Sequence, residues 1–136
     1  MPSERPGGRK GRVRTKAAVA IGLLMARLPP RRLKTLLKRA AKGAGPADCQ
    51  QTERHYYAVR VASRRCAGWQ GCLPRSIAVA LLCRLDGVWP DWCTGVRVTP
   101  PFAAHAWLEA DGRIVAEPGS PDAYRALIRV EARRDG

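Results

Sequence analysis

Residues 71 to 82, Gly-Cys-Leu-Pro-Arg-Ser-Ile-Ala-Val-Ala-Leu-Leu, limit what this chain can fold into more than any other stretch. Pro74 suits the first turn of a helix, because it lacks an N–H that would go unpaired there and its φ is already helical. Ile77, Leu81 and Leu82 follow at helical spacing, so the spacing predicts a buried helix with Cys72 at its mouth. The free N–H groups and dipole at a helix N-terminus favour a thiolate over a thiol, and the thiolate is the nucleophile. Arg75, one turn in, adds positive charge nearby.

Charge and length set the frame for that helix. At 136 residues the chain has room for one modest core, and 46% apolar content is ordinary for a folded domain. The net charge of +14 is not ordinary, and it is unevenly placed. Residues 1 to 42 carry 13 Lys/Arg against one acid, Glu4, a net +12; the other 94 residues carry 12 basic against 10 acidic, a net +2. The basicity belongs to an N-terminal arm, and the part bearing Cys72 is close to neutral. Base-stacking aromatics are missing from residues 1 to 42, which argues against nucleic acid as the arm's partner. The remaining readings are a solvated face packed on the core by its leucine stripe, and a docking surface for an acidic partner or an anionic membrane.

Five cysteines at 49, 66, 72, 83 and 93 form no C-x-x-C, so the spacing points to no zinc site, and no metal or cofactor is expected. An odd count without a clear secretory signal fits reduced thiols in a cytoplasm. Ala17 to Ala26 imitates a signal-peptide core, but Arg27 and Pro29-Pro30 follow where a small-residue cleavage site belongs. The apolar run is too short to span a bilayer, so no membrane span is expected.

The order of elements predicts an α+β fold, with N-terminal helices and a central Cys-bearing helix packed on a small antiparallel sheet. We expect a basic disordered arm over 1–15, a basic amphipathic helical region over 16–47, and the core over 48–136. Within the helical region, residues 16 to 28 read as a helix with Ile21, Leu24 and Leu28 on one face. Residues 31 to 42 read as a second, with Leu33, Leu36, Leu37, Ala40 and Ala41 on one face. Gly43 to Ala47 reads as a linker, Gln50 to Ala62 as a helix and Ser63 to Gln70 as a loop. Strands follow at Thr94 to Thr99, Phe102 to Glu109 and Arg113 to Glu117. Residues 121 to 134 read equally well as helix or strand.

His105 stands mid-strand between small residues, in Ala-His-Ala-Trp. A thiol needs an imidazole within hydrogen-bond reach and a third group to orient it. Glu109 shares the strand face of His105 but lies four residues, roughly 13 Å, away. Asp111 is explained by the turn it makes before Gly112. Glu117 depends on hairpin register. A two-residue Asp111-Gly112 turn pairs Ala110 with Arg113 and turns Glu117 away from His105; a three-residue loop, 110–112, sets Glu117 opposite His105. The sequence allows both loops. The need for an orienting acid selects the second, giving the order Cys72, His105, Glu117.

The runs G-C-L-P-R-S, G-V-R, P-P-F-A-A-H-A-W-L-E-A-D-G and V-A-E-P, across about residues 60 to 120, resemble the stand-alone leader peptidases of lasso-peptide biosynthesis, a transglutaminase-like cysteine peptidase family. The resemblance maps that family's nucleophile onto Cys72, its base onto His105 and its acid onto Glu117, where many relatives have Asp. It implies removal of the leader from a ribosomally made precursor peptide, followed by ring closure by a separate macrolactam-forming cyclase. Some relatives carry a leader-recognition domain in front. No stretch here has its length or strand pattern, so a separate leader-recognition protein is the expected partner and the basic arm its docking surface. Trp107 and Trp69 are expected to wall the cleft and Arg75 to touch substrate. The other cysteines and His55 read as structural. Two other readings compete: a basic module that binds an acidic partner or nucleic acid, and an acyl transferase that hands the same intermediate to an amine.

Overall fold

The structure is a computed structural model and describes residues 9–68, 71–116 and 121–132. Helices come first: α1 (Arg9–Met25), α2 (Pro30–Ala41), α3 (Cys49–Ala62), the one-turn α4 (Arg64–Ala67) and α5 (Cys72–Leu85). A short strand β1 (Gly45–Pro46) lies between α2 and α3 and pairs in parallel with β2 (Val88–Trp89). The stretch expected to be a linker is thus tied to the chain leaving α5. The remaining strands are β3 (Asp91–Arg97), β4 (Ala103–Ala110), β5 (Arg113–Ile114) and β6 (Tyr124–Val130), an antiparallel sheet in the order β5-β4-β3-β6. The expected α+β architecture is the one formed. Residues 121 to 134, left open between helix and strand, give a 3-10 turn at Pro121–Ala123 and then β6.

Helix α5 is the axis of the core. Ile77, Ala78, Val79, Ala80 and Cys83 have no exposed surface, because α1, α3 and the sheet close around them. Its Asp86 terminus is tied to α3 by the His55 Nε2–Asp86 Oδ2 contact at 2.7 Å, which gives His55 a structural position. Arg84 donates through Nε to the Ala40 carbonyl at 2.6 Å and so fastens the end of α2 to α5. Leu33, Leu37 and Ala41 are the α2 residues that bury.

Helix α1 corrects two expectations. It begins at Arg9, so part of the arm expected to be disordered is helical; residues 1 to 8 lie outside the described residues. It also buries the opposite face from the one predicted. Thr15, Ala18, Val19 and Gly22 face the core, whereas Ile21 and Leu24 are 47% and 65% exposed. The reason is steric. A methyl on Gly22 would sit 2.7 Å from the Pro74 carbonyl, so small residues let α1 lie almost on the backbone of α5. That closeness is worth more than burying two larger side chains at arm's length, since dispersion and exclusion of water both need contact.

The β4–β5 hairpin is a second correction. Ala110 pairs with Arg113 and Glu109 with Ile114, so the two-residue turn is formed and not the three-residue loop. Asp111 and Gly112 take φ of 55° and 72°, the left-handed pair such a turn requires. Asp111 Oδ2 also accepts the Cys49 N–H at 2.8 Å, capping α3 from 62 residues away. The extended run then breaks at Ala116, whose φ is 60°. No helix among the described residues is long and apolar enough to cross a membrane.

Candidate active site

The site assembles where the mouth of α5 meets the edge of β4. Gly71 precedes Cys72 as the N-cap, and its lack of a side chain is required: a methyl there would run into the Arg65 carbonyl oxygen. The α4 loop is braced from the other side by Arg75. That residue is buried, and its Nη1 donates to the Cys66 carbonyl at 2.6 Å and the Gly68 carbonyl at 3.1 Å, with its guanidinium 5.4 Å from the Tyr56 ring. Arg75 was expected to touch substrate; it is turned inward instead, holding the segment that leads into Cys72. Ser76 is similarly occupied, accepting Trp92 Nε1–H at 3.0 Å and donating to the Leu73 carbonyl at 2.8 Å.

The two faces of the sheet do different work. Leu108 and Ala110 turn to the helices with Trp92 and Val130, while Trp107 joins Cys93 and Ile114 in a second cluster with Tyr124 and Ala126. On that second face His105 stands beside Trp107 and Tyr124, with ring centroids 6.0 and 5.3 Å away. Strand β5 covers only the far end of β4, where Leu108 accepts the Val115 N–H. Two residues earlier, Ala106 directs its own N–H the same way, past the end of β5, and Cys72 Sγ meets it there.

Cys72 Sγ is hydrogen-bonded to the His105 side chain and accepts the Ala106 N–H. Burial pushes the thiol up. The two hydrogen bonds, with the positive charges of His105 and Arg75, outweigh that and hold its pKa below the ordinary 9.0. A small cavity of about 10 Å³ lies against the pair, lined by Tyr56, Ser76, Ala106, Trp107 and Val115 among others. A larger cleft of about 910 Å³ lies between α2 and the opposite end of the sheet, among Lys38, Arg39, Lys42, Asp91, Arg129 and Glu131. It shares no residue with the thiol–imidazole pair.

Trp107 is buried beside the pair and donates through Nε1 to Glu109 Oε2 at 2.8 Å. Glu109 also accepts from Arg129 Nη1 at 3.0 Å, so its carboxylate is occupied away from His105. Trp69 and Glu117 lie outside the described residues. The pairing argued to bring Glu117 opposite His105 is replaced by the two-residue turn, so its assignment as the orienting acid stands on the family resemblance. Cys49, Cys66, Cys83 and Cys93 are buried free thiols, and no metal-holding group of His, Cys, Asp and Glu occurs among the described residues. Sequence reasoning missed Tyr124 and Gly95, because it could not choose a conformation for residues 121 to 134 and so could not bring β6 beside the site.

A cysteine at the mouth of a buried helix, bonded to a histidine on an antiparallel sheet, is the arrangement of transglutaminase-like thiol enzymes. The chain belongs to the Transglutaminase-like superfamily, whose family model it matches over residues 16–129. No curated protein and no solved structure matches it.

Proposed function

We propose that the protein is a cysteine peptidase that removes the leader from a ribosomally made lasso-peptide precursor. The observations that carry the reading are the place of Cys72 at the mouth of α5, against the stretch of β4 that bears His105, and a thiol pKa held down there by that imidazole. The motif resemblance around both residues supplies the substrate class. In the reaction, the Cys72 thiolate attacks the scissile carbonyl carbon, and the His105 imidazolium gives its proton to the departing amine. That amine is the new N-terminus of the core peptide. His105 then takes a proton from water, whose oxygen attacks the thioester and releases the leader carboxylate and the thiolate. The Cys72 backbone N–H, in a helical first turn that offers it no intrahelical acceptor, stabilises the oxyanion. Glu117 orients the imidazole and stabilises its charge.

A leader-recognition protein delivers the precursor, and a macrolactam-forming cyclase consumes the amine. The N-terminal helices dock the first of these. In support, Arg31, Arg32, Lys34, Lys38, Arg39 and Lys42 carry no ion pair among the described residues, and α1 exposes Val13, Ile21 and Leu24.

Incubating the chain with precursor and recognition protein and weighing the products tests the reading. Cleavage at one bond, lost in Cys72→Ala with circular dichroism unchanged, supports it; undiminished cleavage by Cys72→Ala overturns it. A mass gain equal to an added amine in place of water would make the enzyme an acyl transferase.

A further inference from the structure

We infer that Tyr124 is a positioning residue for the His105 imidazole, holding the ring by its face and favouring its protonated form. The inference rests on the reading of Cys72 and His105 as the reacting pair. Its observation is independent of that reading, because Tyr124 is contributed by β6, two strands away from β4 in the sheet.

Neighbours but one in a sheet are normally separated by the side chain of the strand between them. Here that residue is Gly95, paired to His105 on one side and to Ala126 on the other. With no side chain on β3 at that point, the Tyr124 ring reaches across the backbone to within 5.3 Å of the imidazole, the planes 27° apart. Trp107 completes the group, 6.0 Å from the imidazole at 13° and 5.0 Å from Tyr124 at 34°. Three centroids mutually 5.0 to 6.0 Å apart make a triangle, so both larger rings lie on the same side of the imidazole. The glycine is enforced as well as convenient. A methyl on Gly95 would strike the Arg125 carbonyl, because β6 closes tightly on β3 at the irregularity between Thr94 and Gly95.

Face-to-face contact with aromatic rings favours a cation, and imidazolium is the cation formed when Cys72 gives up its proton. Among the described residues the titratable and charged groups on the surrounding elements are Cys72, Arg75, Cys83 and Arg84 on α5, Asp91, Cys93 and Arg97 on β3, and Glu109 on β4. Asp122 lies in the turn before β6, and Arg125 and Arg129 on β6. Glu109 reaches the imidazole through Trp107, whose Nε1–H it accepts, and Arg129 fixes Glu109. Tyr124 stands outside that relay and acts by stacking.

The test reads the thiolate directly and needs no precursor. The rate of Cys72 alkylation by iodoacetamide is followed from pH 4 to 10, with Cys72→Ala as the blank for the four other thiols. Removing the ring in Tyr124→Ala moves the upper limb of the profile, where the imidazolium gives up its proton, down by about one pH unit, roughly a tenfold loss of imidazolium on that limb. Tyr124→Leu, which keeps bulk and apolar contact without a ring, shifts the profile likewise, and Tyr124→Phe restores it. If Tyr124→Leu keeps the wild-type profile, the side chain acts by volume alone and the inference is overturned. An ordinary thiol profile in the wild type would remove the ion pair and this inference with it. A wild type that alkylates as an ion pair, shifts in Tyr124→Leu and yet cleaves no precursor would sink the peptidase reading and leave the role of Tyr124 standing.

Discussion

Cys72 and Cys83 sit on the same helix, one at its mouth and one near its far end, and their thiols are driven in opposite directions. Burial raises both. At Cys83 it wins, pushing the thiol to about 12, and a hydrogen bond with Thr52 is too little to offset it. At Cys72 the His105 bond, the Ala106 N–H and nearby positive charge reverse the outcome. Cys93, under the aromatic cluster, behaves like Cys83 and also reaches about 12. A cysteine in this fold is therefore an apolar side chain by default. Reactivity is conferred at one point, where the helix opens onto a strand edge that supplies an imidazole and an N–H.

The contrast is broken most severely by His105→Ala. Loss of the general base lowers precursor cleavage by about 10²- to 10⁴-fold, read by mass spectrometry, and Cys72 alkylation at neutral pH slows toward that of an ordinary thiol. Alkylation unchanged in this variant would mean that the helix mouth alone activates the sulfur. Gly95→Ala comes next. Its methyl meets the Arg125 carbonyl and Ala126 Cα, so we expect destabilisation of about 2–3 kcal/mol, lowering the melting temperature by roughly 7–10 °C in a thermal scan.

Glu117→Gln lowers cleavage less than His105→Ala does, because orienting residues usually cost less than the groups they orient. Should Glu117→Ala leave cleavage intact, the orienting acid is elsewhere. The pH dependence follows from the direction of each thiol. With its pKa below 9.0, Cys72 keeps a larger thiolate fraction than a free cysteine at any pH under that value, and loses it as pH falls through its own pKa. Cys83 and Cys93, at about 12, stay protonated. At pH 8, peptide mapping after iodoacetamide treatment should find the label on Cys72 and reach Cys83 and Cys93 only after denaturation. The smallest effect is that of Asp111→Ala. It removes the cap on the Cys49 N–H and costs about 1 kcal/mol of stability with cleavage unchanged.

The central helix was legible because its signals are local: a proline in the first turn, an apolar run behind it and a cysteine ahead of it. The strand bearing His105 was legible for the same reason. Helix α1 was legible as a helix but its buried face was not, since it is apolar on two faces and periodicity finds the larger residues first. Only the partner helix decides that Gly22 and Ala18 should face inward. The hairpin after β4 was misjudged because either loop satisfies local rules, and the two-residue turn that forms is accompanied by a contact from Asp111 to the N-terminus of α3.

By itself the sequence determined the elements on which the candidate residues Cys72 and His105 ride, because helix starts, strand alternation and thiol electrostatics act over a few residues. Which groups meet was decided only by the tertiary structure. A bare glycine on β3, a carboxylate 62 residues from the N–H it caps and a strand edge left open past β5 are relations between distant segments. No local preference encodes them, because their free energy arises only once the segments have packed.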